Sequence, residues 1–267
     1  MHFCFKIFPR SLNFESYQYL PSETLRHFIT ENFPISVTSS AQSSNNDFAK
    51  ELRGFGPIGI FAILLILLTG NILLENMILL PIGAILVLLW VRLSHTPLSA
   101  IGYGKPKSWI ATVLIGIVFG VALKFLMKAV ILPLFGADPI NQPYHFLAGN
   151  KPLLPAAIIA MLIVGFSEET VFRGYMFERL GKLFGNTIKA KTLIVVVTSL
   201  LFGLAHYINQ GITGVEQATI VGLVYGTVFA NTGKIWIVMI AHAAFDLTAL
   251  AMIYWNLETE MAYLIFK

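Results

Sequence analysis

Charge is what this sequence has least of. Asp, Glu, Lys and Arg make up only 12% of its 267 residues, about half the share carried by soluble domains. Cysteine is nearly absent: Cys4 stands alone, so no internal disulfide can form. No G-x-S-x-G nucleophile motif occurs, and no H-E-x-x-H zinc signature. The first 53 residues mix both signs of charge and lack a clear apolar core, so no cleavable signal peptide is expected. No internal repeat is evident. These absences exclude a disulfide scaffold, a thiol protease built on the tail, and a zincin or α/β-hydrolase site.

What fills the space is apolar: 56% hydrophobic residues and a mean hydropathy of +0.74. The chain is expected to be an all-α, polytopic membrane helix bundle rather than a soluble domain with one anchor, with the lipid bilayer as its first partner. The net charge of +4 is not a nucleic-acid signal, because most basic residues fall in short loops where they serve topology.

Residues 1–53 read as a tail. Its Ser/Asn-rich part, residues 35–50, has the composition of a flexible linker, and Phe3, Phe5, Ile7 and Phe8 are candidates for contact with a membrane surface. A spanning helix takes ~20 apolar residues. Seven stretches qualify: 55–74, 76–91, 109–134, 153–177, 192–206, 212–230 and 235–255. Residues 54–149 thus hold accessory helices, 150–255 a core, and 256–267 a short end. Lys124 and Lys128, inside the third stretch, have long side chains that can snorkel, and a structural or lipid-facing role is expected of them. Arg92, Lys105 and Lys107, then Arg179, Lys182, Lys189 and Lys191, then Lys234 occupy alternate loops. The opposite loops hold Glu75, Asp138 with Lys151, and Glu216. By the positive-inside rule the N-terminus is cytoplasmic and the C-terminus lies across the membrane.

Against this background one polar stretch stands out, Glu168-Glu169-Thr170-Val171-Phe172-Arg173, which follows an almost wholly apolar run. Ionisable groups at such a position mark a functional site by default. On a helix, Glu169 and Arg173 are i,i+4 neighbours in the favourable order, whereas Glu168 is turned about 100° away and left for other work. His242 and Asp246 share a helix face by the same spacing, as do Phe202 and His206. Counting ~1.5 Å per residue from the turn near Gly185-Asn186, Glu168 and His206 reach similar depths, about 27 to 30 Å, and His242 lies at a comparable level.

A carboxylate and a histidine in a partly dry site can activate a water between them, and a second histidine can stabilise an oxyanion. That describes hydrolysis of an acyl bond, above all a peptide bond. The set Glu168, His206 and His242 is also chemically suited to a divalent metal such as zinc. Two other classes compete: a non-catalytic membrane protein that binds a peptide or partner, and a small transporter relaying protons through its buried charges. The lack of an inverted repeat weighs against the transporter.

E-E-x-x-x-R (Glu168, Glu169, Arg173), F-x-x-x-H (Phe202, His206) and H-x-x-x-D (His242, Asp246), in that order on successive hydrophobic helices, resemble the CPBP family. That family comprises type II CAAX prenyl proteases together with bacteriocin-processing or immunity proteins, also called Abi. The resemblance covers about residues 150–250. It implies an intramembrane endopeptidase acting on a peptide or prenylated protein, in a bacterial cytoplasmic membrane. Glu168 would be the base that activates water, His206 a holder of that water, Glu169 and Arg173 supporting groups, and His242 and Asp246 the oxyanion positions. In this picture no cofactor is required, although the family is often labelled a metalloprotease. The eukaryotic prenyl proteases carry Asn where this chain has Asp246. An ionised Asp cannot donate a hydrogen bond, so it must be protonated, orient His242 or support a metal.

Overall fold

The computed structural model describes residues 37–69 and 79–266, and every described element is helical. The chain divides into two units, Met1–Phe48 and Ala49–Lys267, and the candidate site residues all lie in the second. The expected contacts of Phe3, Phe5, Ile7 and Phe8 lie outside the described residues, as does Glu75. Of the stretch 35–50, whose composition suggests a flexible linker, the described residues 37–50 are helical. They belong to α1 (Val37–Arg53).

Then come α2 (Pro57–Thr69), α3 (Leu79–Leu93), α4 (Trp109–Leu126), α5 (Leu154–Glu169), α6 (Met176–Phe184), α7 (Ile188–Ala205), α8 (Tyr207–Thr232), α9 (Ile235–Tyr254) and α10 (Glu258–Ala262). Wide π turns continue α4 over Met127–Ile131 and join α5 to α6 over Thr170–Tyr175.

The expected count of seven spans is not what the described residues give. Five helices are long and apolar enough to cross a membrane: Trp109–Leu134, Leu154–Phe184, Ile188–Ala205, Tyr207–Thr232 and Ile235–Tyr254. A sixth arises if the bent pair Ser44–Arg53 and Pro57–Thr69 acts as one span, and Pro81–Leu93 is apolar but short. The first two expected spans run into residues 70–78, which are not described.

Local sequence explains the breaks. Ser108 caps α4 by accepting from the backbone N–H of Ala111, and Thr187 caps α7 by accepting from Ala190. Gly233 ends α8 in the left-handed region. Gly211, at φ 61°, breaks the first turn of α8, so the long straight part begins at residue 212.

Small residues set the spacing of the bundle. A Cβ on Gly120 of α4 would run into the carbonyl oxygen of Ala241 on α9, and one on Gly222 of α8 would meet Ser199 of α7 at 3.0 Å. Facing outward, Ile110, Leu114 and Val118 form an exposed aliphatic stripe along α4. In a chain this apolar such a stripe meets lipid. Inside, Val171, Phe172, Tyr175 and Met176 from the α5–α6 junction pack with Phe202 and Trp90. Tyr225, Phe229, Ile235, Met239 and Phe245 pack with α4 around Leu123 and Met127.

Candidate active site

The α5–α6 span delivers the acidic pair just before its widest turn. Glu168 and Glu169 close α5, and the π segment begins at Thr170. A π turn inside an α-helix costs regular hydrogen bonding and is often found where side chains must be re-aimed for function. Thr170 Oγ1 donates to the Phe166 carbonyl at 2.7 Å, and the Tyr103 hydroxyl lies 2.7 Å from that same oxygen. Because the threonine proton goes to Phe166, Tyr103 is the donor of the second bond. Burial raises the Tyr103 phenol above its usual value, with the Thr170 bond pulling the other way, so it keeps its proton at neutral pH.

Glu169 is fully buried (0% exposed) and Arg173 nearly so (1%). Arg173 Nη1 donates to Glu169 Oε1 at 2.8 Å, the i,i+4 pair expected from spacing. The guanidinium also donates to the Gly222 carbonyl at 3.4 Å and lies over the Phe202 ring at 4.6 Å. A buried guanidinium is thus matched by one carboxylate, one carbonyl and an aromatic face.

Glu169 does a second thing that its spacing did not reveal. Its Oε1 accepts from His242 Nδ1 at 2.7 Å. With Nδ1 bound there, His242 turns Nε2 towards Glu168 Oε2 at 3.5 Å and Asp246 Oδ2 at 3.6 Å. These last two separations are charge contacts, too long for good hydrogen bonds. Three carboxylates from two helices thus gather about one imidazole. The Asp246 carboxylate is close to Nε2, and the orienting bond on Nδ1 comes from Glu169.

His206 caps the end of α7 and donates from Nδ1 to the Phe202 carbonyl at 2.8 Å. A carbonyl only accepts, so neutral His206 carries its proton on Nδ1 and presents a lone pair on Nε2. The Phe202 ring lies edge-on to both imidazoles, 4.7 Å from His206 and 5.9 Å from His242. All four of Glu168, His206, His242 and Asp246 line one cavity of about 530 Å³, within the range of small-ligand pockets. Glu169 and Arg173 stand behind it.

Among the described residues no three His, Cys, Asp or Glu side chains are disposed to hold a metal ion. Glu168, His206 and His242 converge on the cavity without forming a ligand cage.

Of the two roles expected for Lys124, the lipid-facing one is not what the structure gives. Lys124 does not snorkel or face lipid. It is buried (5% exposed) and lines the same cavity as Glu168. Lys128 is buried as well, donating to the Pro139 carbonyl and lying 3.7 Å from Glu258. A signal was available: Gly116, Gly120 and Lys124 recur every four residues on one face of α4, and the two glycines mark that face as the one packed on α9.

Comparison with known proteins supports the core. Residues 150–248 match the family described as type II CAAX prenyl endopeptidase, Rce1-like. An uncharacterized protein of Bacillus subtilis (strain 168), YyaK, is 34% identical over 98 residues, which are 34% of this chain and 31% of that protein. The chain therefore covers under a third of that relative's length. No solved structure matches.

Proposed function

We propose that this chain, which over residues 150–248 belongs to the CPBP family of CAAX-type membrane proteases, is an intramembrane endopeptidase that hydrolyses a peptide bond with water activated by Glu168. The observation that carries this reading is the Glu169–His242 bond, which aims His242 Nε2 at the Glu168 carboxylate on the wall of a cavity.

Glu168 Oε2 is buried with no hydrogen-bond donor among the described residues. Leaving such an oxygen without a donor costs about 1–3 kcal/mol. A water placed between Glu168 and the Nε2 lone pair of His206 supplies that donor, and it is then held by the two groups able to take its proton. As the water attacks the scissile carbonyl, Glu168 accepts the proton and the carbonyl oxygen becomes an oxyanion. His242 Nε2–H stabilises it, held in place by Glu169. Glu168 then passes its proton to the leaving amine. Asp246 acts through its field on His242. Arg173 keeps Glu169 in position. No metal enters these steps.

The site lies on apolar spanning helices, so the substrate is a peptide or protein presented within or beside the bilayer, prenylated peptides among them. The loop charges favour an N-terminus on the cytoplasmic side, and the family resemblance favours a bacterial cytoplasmic membrane as the setting. The test is cleavage of a peptide library, prenylated members included, by detergent-purified protein. Wild type, Glu168→Ala and His206→Ala are compared with and without a strong chelator. Loss of cleavage in both variants, with melts unchanged and no chelator effect, is expected. Cleavage that survives Glu168→Ala overturns the assignment of the base. Cleavage abolished by the chelator moves the chemistry to a metal.

A further inference from the structure

Glu168 sits near the middle of its span. At ~1.5 Å per residue it is about 21 Å from Leu154 in one direction and about 21 Å from Lys182 in the other, so depth alone does not say from which side of the membrane it is reached. The cavity wall does. Its residues come from the same half of each helix: Lys124 late in α4, Met161 ahead of Glu168 on α5, His206 at the end of α7, Gln210 and Gln217 early in α8, and Ile253 late in α9. Chain connectivity puts those helix ends on one face of the bundle, the face of the 135–153 segment, the α7–α8 junction and α10.

Towards the opposite face the bundle is filled. Phe172, Arg173, Tyr175, Tyr225, Ile235 and Met239 are each at most 1% exposed. Phe177 and Phe229 meet edge-on at 5.1 Å, and a Cβ on Gly174 would lie 3.2 Å from the Ile101 carbonyl oxygen. None of these residues lines the cavity. On the open side the wall turns polar, with the amides of Asn141, Asn209, Gln210 and Gln217. A second cavity of about 190 Å³ adjoins it, sharing Asn141, Gln210 and Gln217 and adding Asp138 and Gln142. Asn209 and Gln142 are exposed. Polar walls at membrane depth belong to a water-filled space, and this one runs outward from Glu168 in one direction.

Charge tells the two faces apart. Lys105, Lys107, Lys182, Lys189, Lys191 and Lys234 lie at the filled face, whereas the open face carries Lys151 beside Asp138, Glu258 and Glu260. Basic loops stay in the cytoplasm. Resting on the peptidase reading above, we propose that the cavity opens on the extracytoplasmic face and that its substrate is a peptide segment that has already crossed the membrane. The segment enters between residues 141–147 and the start of α8, where the Asn and Gln amides can meet its backbone, and reaches Glu168 about halfway through the bilayer. Export must then precede cleavage, and a peptide confined to the cytoplasm is out of reach.

The lone cysteine, Cys4, makes the test direct. Cys4→Ser gives the full chain a thiol-free background, into which Gln142→Cys at the mouth, Ala249→Cys in the cavity and Lys189→Cys at the filled face are introduced one at a time. Intact bacterial cells expressing each variant are treated with a small membrane-impermeant methanethiosulfonate, and the remaining free thiol is measured. Loss of the thiol in intact cells is expected for Gln142→Cys and Ala249→Cys, and for Lys189→Cys only after permeabilisation. Lys189→Cys that reacts in intact cells overturns the proposal. So does a folded Ala249→Cys protein whose thiol stays unreactive in intact cells.

Cleavage is read separately, with a library of fluorogenic peptides tethered to dextran so that none crosses a bilayer. Right-side-out membrane vesicles carrying the wild-type chain are expected to cut it, and sealed inside-out vesicles to cut it only after detergent is added. Cutting by sealed inside-out vesicles overturns the outward opening and leaves the peptidase reading in place. Labelling of Ala249→Cys from outside, with no cutting by the wild type even in detergent, supports the outward opening and tells against the peptidase reading.

Discussion

His242 Nδ1 lies 2.7 Å from Oε1 of Glu169, the same oxygen that takes Arg173 Nη1 at 2.8 Å. One carboxylate oxygen thus joins the ion pair of the α5–α6 span to the imidazole of α9. The two adjacent acids divide their work accordingly, Glu169 facing the interior and Glu168 the cavity.

Removing that junction should separate stability from catalysis. Glu169→Ala leaves Arg173 buried without its carboxylate, a loss of about 3–5 kcal/mol, and its melting temperature should fall far below wild type. Glu169→Gln keeps an oxygen for His242 and should fold, but kcat should drop by about tenfold or more as the ionic hydrogen bond weakens. A Glu169→Gln protein with wild-type kcat would show that the orientation of His242 does not matter.

Tyr103 reaches the acidic turn through its bond to Thr170, as a positioning residue. Tyr103→Phe should cost about 1 kcal/mol of stability and lower kcat while leaving KM nearly unchanged, since the ring stays and only the donor is lost. Equal changes in both constants would point to a general loosening instead. The phenol also gives a pH signature. Its folded value is raised above the usual 10.0 by burial, so the unfolded chain loses its proton first. Stability should fall as pH climbs through that range. Melts across alkaline pH should show this fall in wild type and less of it in Tyr103→Phe.

Two glycines make an internal contrast. Gly120→Ala pushes a methyl into the Ala241 carbonyl and should destabilise by about 1–3 kcal/mol. Gly181→Ala, in α6, meets open space and should stabilise by roughly 0.5–1 kcal/mol, the gain from a better helix former. Detergent melts of the two variants should move in opposite directions. A neutral Gly120→Ala would mean that α4 and α9 can part at little cost.

Glu258 holds the segment before α5. Its Oε1 accepts from the Asn141 backbone N–H at 2.9 Å and pairs with Lys128 at 3.7 Å, and its Oε2 lies 3.6 Å from His145 Nδ1. Asn141, Pro143, Tyr144, Phe146 and Leu147 of that segment line the cavity. Glu258→Ala should therefore speed amide hydrogen exchange around residues 138–147 while exchange in α7 and α9 stays as in wild type. Unchanged exchange in that segment would show that packing alone holds it.

Much of the core could be read in the sequence because helical spacing is short-range. An i,i+4 rule needs no knowledge of the fold, so the Glu169–Arg173 pair and the shared face of His242 and Asp246 followed from counting. Long apolar runs likewise located the spans from residue 109 onward. The same logic failed where composition and structure part: within the Ser/Asn-rich stretch 35–50, the described residues 37–50 form a helix. For Lys124, a long basic side chain left structural and lipid-facing roles both open, and the packing of the glycines on its face turns it inward.

The sequence by itself determined that the chain is an apolar helical membrane protein, which residue types carry its chemistry, and which of them share a helix face. Those properties follow from composition and from the 3.6-residue turn. Tertiary structure alone decided that Glu169 rather than Asp246 binds His242 Nδ1, that Arg173 also reaches the Gly222 carbonyl, and that Lys124 lines the same cavity as Glu168. Each of those facts depends on how close separate helices approach and how they are rotated, and that is set by small residues at their crossings, many positions away along the chain.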